Sequence, residues 1–225
     1  NYNQIKTFLT NLAYNTTLLT LAEIFHNLDS LLSTNNEVEI IIIAGSGIPT
    51  LGQIVEKNSI NLLGIKIPKR DCISVNGDDT VPLFSASLED LDKNLFLNGI
   101  AKTYYTKQQH SELVIDGPAL NLIKNILDGN SNLPNGVSNK AYKLNGTQLS
   151  VHSPVNIHIY DQNGNHTGPT QDGDIEENIP GNNYDSLDDA KFIWLSDEGI
   201  YNIGFDATGN GSFDFKIRKF ENDVN

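Results

Sequence analysis

A chain of 225 residues is long enough to bury one large or two medium-sized cores. Its formal net charge of −13 argues against nucleic acid or an acidic membrane surface as a partner. No apolar run is long enough to cross a bilayer, and a single cysteine, Cys72, excludes an internal disulfide and a Cys-rich zinc site.

Residues 4–32 carry apolar side chains at helical spacing. Ile5, Phe8, Leu9 and Leu12 form one face, and Leu18, Leu21, Ala22 and Phe25 repeat it. This pattern predicts helix, either packed on a sheet or acting as a lid, with His26 beside the apolar face as a structural residue. Glu37–Ala44 reads as a strand. The run Ile40 to Ile43 has no polar alternation, which suits a strand covered on both faces within a parallel sheet. Gly45-Ser46-Gly47-Ile48-Pro49 reads as a turn after it. Ser46 is weighed as a nucleophile, but a nucleophile elbow needs glycine two positions to either side, where Ala44 and Ile48 stand.

Leu62–Ile67 and Asp71–Val75 read as extended segments, with Cys72 a buried thiol beside the second. That segment delivers Asn76-Gly77-Asp78-Asp79-Thr80-Val81-Pro82, and a short helix is expected from Ser85 to about Leu91. Lys102–Thr106 is a further strand, and His110 follows its end. Asp116 is placed as the cap of a helix with Pro118 in its first turn and Gly129 at its end. Residues 128–139 have the composition of a linker. Beyond them Gln148–His152, Val155–Tyr160, Lys191–Leu195, Ile200–Asp206 and Ser212–Lys219 read as short strands of an antiparallel sandwich.

The charge follows this division. Residues 1–140 hold 10 Lys/Arg against 14 Asp/Glu, whereas residues 141–225 hold 5 against 14. Asp161, Asn163 and Asn165 resemble the opening of a calcium loop, but His166 at position six and Asp172 at position twelve depart from that pattern. Asp172, Asp174, Glu176 and Glu177 leave some other oxygen-ligand site open. His152 and His158, six apart in one segment, are expected on one strand face as surface residues.

An acid after one strand and a histidine on a later loop supply two members of a Ser-Asp-His triad in their hydrolase chain order. Gly77-Asp78-Asp79-Thr80-Val81-Pro82 resembles the Gly-Asp-Gly/Asp-Thr-Val motif of the lecithin:cholesterol acyltransferase-like lipases and acyltransferases. The strand and turn over residues 40–50 and the position of His110 are similar to that family too, so the resemblance covers about residues 37 to 127. It implies Asp78 as the triad acid, with Asp79 as second choice, and His110 as the base. It implies a partial α/β-hydrolase fold, a mostly parallel sheet with helices, over residues 1–136. The antiparallel sandwich occupies 137–225.

The implied activity is hydrolysis or acyl transfer on a lipid-like ester, with no cofactor or metal. The family's Gly-x-Ser-x-Gly elbow does not occur in this chain, so the nucleophile is expected on an N-terminal segment preceding residue 1. The absence of methionine fits such a fragment. The sandwich resembles accessory modules of bacterial extracellular enzymes, which implies a secreted or cell-surface setting. The alternative function is a non-catalytic module binding glycan or cell wall through that sandwich.

Overall fold

The computed structural model describes residues 39–60, 66–87, 101–152, 154–196 and 199–223, with four helical positions at Thr7, Thr17, Thr20 and Leu21. The rest of the expected 4–32 helix, including His26, lies outside the described residues. So do Leu62–Ile65 and the expected helical turn beyond Ser87. The chain forms two compact units, residues 1–42 with 88–103, and residues 43–87 with 104–225. The second contains the elements that position the site.

The elements run β1 (Ile40–Gly45), β2 (Ile48–Ile60), β3 (Lys66–Gly77), α1 (Leu83–Ala86) and β4 (Ala101–Thr106). A 3-10 turn (His110–Glu112), α2 (Pro118–Leu127) and β5 (Val137–Ser138) follow. Then come β6 (Gly146–His152), β7 (Val155–Tyr160), β8 (His166–Pro169), β9 (Ile175–Glu177), β10 (Asn183–Leu187), β11 (Ala190–Leu195), β12 (Asn202–Ala207) and β13 (Asp214–Phe220). Strands β1, β4 and β5 form one sheet in the order β1-β4-β5, and β2 pairs with β3. Two four-stranded sheets run β10-β11-β6-β13 and β12-β7-β8-β9.

This architecture corrects the expectation of a partial α/β-hydrolase. The described chain is mostly strand, and every pair with a defined register is antiparallel. The physical reason lies at the turn after β1. The chain does not enter a crossover helix there, as a parallel sheet would need. It continues from Gly47 straight into β2 and returns along β3 as a long hairpin. No period-two pattern marks strand β2, because its apolar positions do not alternate. The register shifts between Leu51 and Gln53, at Gly52, where a Cβ would lie 2.1 Å from Val75 Cγ2. A bulge of this kind moves later side chains to the opposite face and erases the period-two signal.

The sheet β10-β11-β6-β13 is covered on both faces. Its inner face contributes Leu149, Val151, Ile193 and Leu195 to a core shared with Val155, Ile157 and Ile159 of β7. Each such fully buried aliphatic side chain contributes about 1.5–3 kcal/mol. On the outer face Ala190 and Phe192 pack against Cys72 of β3, while Trp194 and Phe220 pack beside Ile73. The Gln148 amide, also on that face, donates to Cys72 O (3.2 Å) and accepts from Ser74 N–H (3.3 Å). It thereby satisfies two backbone groups on the edge of β3 that has no strand partner among the described residues.

A buried charge cluster completes this outer face. Asp71 of β3 is 4% exposed and its Oδ2 accepts from Lys216 Nζ (2.8 Å) and Arg218 Nη2 (2.5 Å) of β13. Burial pushes the Asp71 pKa up, but the hydrogen bonds and positive charges of Lys216 and Arg218 outweigh it and hold the carboxyl below its ordinary value. His152 Nε2 sits 3.2 Å from Lys216 Nζ and 3.6 Å from Asp71 Oδ1. An ammonium can donate only to a neutral imidazole, so burial first, and Lys216 second, lower the His152 pKa. The expectation of two surface histidines on one face is thus corrected. His152 and His158 are both buried and belong to different sheets, because the chain reverses between β6 and β7. No helix among the described residues is long and apolar enough to cross a membrane.

Replacing Asp71 with Ala leaves two cations facing a dry wall, and should cost about 3 kcal/mol in a denaturant titration at neutral pH. His152 has a folded pKa below its ordinary 6.5, so its contribution is fully present above pH 6.5 and is lost as pH falls toward the folded value. Unfolding free energy measured between about pH 7 and pH 5 should therefore decline, and His152→Gln should flatten that decline.

Candidate functional site

The site is built at the end of β3. Gly77 closes the strand, and Asp78 begins a tight turn in which its N–H donates to Val81 O (3.3 Å). Asp78 is 2% exposed. Its Oδ1 accepts from the backbone N–H of Thr80 (3.1 Å) and Val81 (2.6 Å), which leaves Oδ2 to face outward. His110 Nδ1 lies 3.0 Å from that oxygen. A second link joins the same residues, since His110 N–H donates to Asp78 O (2.8 Å). The structure therefore brings Asp78 and His110 together from 32 positions apart.

The imidazole has two unlike edges. Facing a carboxylate, Nδ1 carries the proton, so Nε2 holds the lone pair. The His110 side chain is 51% exposed, and among the described residues Nε2 has no hydrogen-bond partner. A buried acid that fixes the tautomer, and an open basic nitrogen, make a unit able to accept a proton from a hydroxyl brought to it.

The loop that presents His110 is braced by Gln108. Its Oε1 accepts from Ala119 N–H (3.0 Å), filling one of the open donors at the start of α2. Its Nε2 donates to Asp116 O (2.8 Å). Gly117, with φ of +88°, stands before Pro118 as the helix cap in place of Asp116. A Cβ at Gly117 would lie 2.8 Å from Gln108 Nε2. Glycine is also required at Gly45. A Cβ there would come within 2.4 Å of Asp78 Cβ and 2.8 Å of Gln108 O, so the end of β1 passes directly beneath Asp78 and the loop that carries His110.

The other candidates fall elsewhere. Asp79 adopts φ of +82°, held by donation of its N–H to Thr50 Oγ1 (2.9 Å). Asp78, and not Asp79, meets the histidine. Burial raises the Asp79 carboxyl pKa, and the charges of Glu177 and Asp78 add to the rise. Ser46 is fully buried and its Oγ accepts from Tyr142 N–H (3.1 Å), so this hydroxyl anchors the chain after β5. Cys72 is buried, and burial, with Asp71 next, pushes its thiol up to about 11. A thiol with that pKa is a poor nucleophile near neutrality.

The Asp161 carboxylate is used by its own turn, accepting from the N–H of Asn163 (2.9 Å) and Asn165 (2.8 Å) and from Asn165 Nδ2 (2.7 Å). Among the described residues no three His, Cys, Asp or Glu side chains converge as metal ligands.

A histidine pair not foreseen in the sequence lies on the sandwich. His158 Nδ1 and His166 Nε2 are 3.0 Å apart, and His166 Nδ1 meets Glu176 Oε2 at 2.8 Å. The two ring planes are only 14° apart, with centroids 5.2 Å apart. The rings are therefore almost end to end, the arrangement of one shared proton rather than of two lone pairs converging on a metal. The neighbours His166 and His158 come together only through the β7–β8 pairing, so no spacing rule in the sequence marks them.

Replacing Gly45 with Ala should wedge Asp78 from His110 and destabilise the fold by about 1–3 kcal/mol. The loss should appear as a lower denaturant midpoint, together with loss of the Nδ1-protonated tautomer in the 15N spectrum of His110. No protein-family model, curated protein or solved structure matches the chain, so the resemblance to the lipase and acyltransferase family rests on its motif residues alone.

Proposed function

We propose that Asp78 and His110 are the acid and base of a serine-type ester hydrolase or acyltransferase acting on lipid-like esters. The observation that carries this reading is the 3.0 Å contact between His110 Nδ1 and a carboxylate that is 2% exposed, with Nε2 left open. The chemistry depends on the constellation and not on the surrounding sheet, because triads recur on unrelated folds. The nucleophilic serine and the oxyanion donors belong in this proposal to a segment preceding residue 1.

Nε2 takes the serine proton as the serine oxygen attacks the ester carbonyl. Asp78 stabilises the imidazolium so formed. Nε2–H then protonates the departing alcohol, leaving an acyl-serine. Water or an acceptor alcohol next gives its proton to Nε2 as it attacks the acyl carbon. The imidazolium returns that proton to the serine oxygen, releasing an acid or a new ester.

The test uses the protein with its upstream coding segment. Turnover of p-nitrophenyl esters should fall about 10⁴-fold in Asp78→Asn and at least as far in His110→Ala, with circular dichroism unchanged. Wild-type turnover in either variant ends the proposal.

A further inference from the structure

Beside the dyad lies a cleft of about 270 Å³ whose walls come from distant parts of the chain. Asp79 and Gln109, the chain neighbours of Asp78 and His110, line it with Lys107 and Ile48, as do Asn182 and Trp194 of the sandwich. Three observations distinguish it from an ordinary surface groove. Asn182 is 8% exposed, and its Oδ1 accepts from Ser196 N–H (3.3 Å). Among the described residues its buried Nδ2 has no hydrogen-bond partner. An unpartnered buried donor is costly, and favours a ligand or water that brings an acceptor. Asp79 reaches the cleft through a left-handed backbone, φ +82°, which is disfavoured for a residue with a Cβ and concentrates at ligand-binding positions.

The lining decides the ligand class. Asp79 and Lys107 are of opposite sign, which favours neither a bare anion nor a bare cation. The Gln109 and Asn182 amide oxygens already accept from the N–H of Glu112 and Ser196, so these amides offer their NH2 donors, while the Asp79 carboxylate supplies an acceptor. Ile48 and Trp194 add apolar surface. A hydroxyl both donates and accepts, and a carbon bearing several hydroxyls presents apolar C–H groups between them. An acyl chain would instead leave the amides and the charged pair desolvated without partners.

We propose that this cleft binds the polyhydroxylated alcohol portion of the ester, a glycerol- or sugar-like head group, so that the sandwich supplies the wall of a substrate subsite. The assignment rests on the ester-transfer reading of Asp78 and His110. It is tested by binding to this chain, which needs no nucleophile, so loss of one reading does not mimic loss of the other.

Trp194 is the chain's single tryptophan, and its fluorescence and indole N–H resonance report on the cleft. Titration with glycerol, with methyl β-glucoside and with hexanoate distinguishes the sources. A saturable shift of the Trp194 indole and Asn182 side-chain amide resonances is expected with glycerol or with the glucoside, whichever source of hydroxyls fits. Asn182→Ala should weaken that binding at least about fivefold. The exposed Lys107→Ala, which leaves the core intact, should weaken it about twofold. Absence of a saturable shift with both polyols, equal affinity in both variants, or hexanoate saturating the same resonances in preference to the polyols overturns the proposal.

Discussion

The docking of β3 on the outer face of the β10-β11-β6-β13 sheet is the constraint on which the site depends. Asp71 is clamped by Lys216 and Arg218, the Gln148 amide bonds the backbone at Cys72 and Ser74, and Cys72 packs on Ala190 and Phe192. Six residues beyond Cys72 the same strand delivers Asp78. A carboxylate that must orient an imidazole needs a rigid support, and this strand is held through ionic, hydrogen-bonded and apolar contacts together.

That arrangement gives the sandwich a second role. Its inner face builds the larger core, with Leu149, Ile157 and Ile193 at its centre. Its outer face is polar where a solvent-facing sheet would be polar, yet Gln148, Ser150 and His152 are all buried. Each of these groups needs a partner once dry, and β3 with Asp71 supplies several of them. The polar outer face therefore specifies where the hairpin lies, since a sliding hairpin would strand Gln148 and the Asp71 carboxylate at once. The cost is visible in atoms that have no partner among the described residues, including Asp71 Oδ1, His152 Nδ1 and Arg218 Nη1.

The dyad shows the same economy. Asp78 uses one oxygen for two backbone amides and the other for the imidazole. Gln108 ties the histidine loop to the start of α2. Close approach is made possible by the missing side chain at Gly45. These supports act on position; in the proposed chemistry the reacting nitrogen is His110 Nε2.

Local chemistry was legible in the sequence wherever a pattern closes within a few residues. The period-two alternation of Val155, Ile157 and Ile159 marked β7, and Pro118 followed by an apolar helical face marked α2, because neighbouring residues alone decide which side of an element is apolar. Asp78 and His110 were legible as candidates because a motif carries the turn chemistry that positions the acid. What the tertiary structure decided was everything set by contacts far apart in the chain. Those contacts include the antiparallel return of β2 on β3 through a bulge at Gly52, the burial of His152 and His158 in separate sheets, the recruitment of Gln148 and Lys216 to β3, and the cleft shared by Asp79 and Asn182. A β-strand's partner and the burial of its polar face depend on what packs against it, and no local run of residues encodes that.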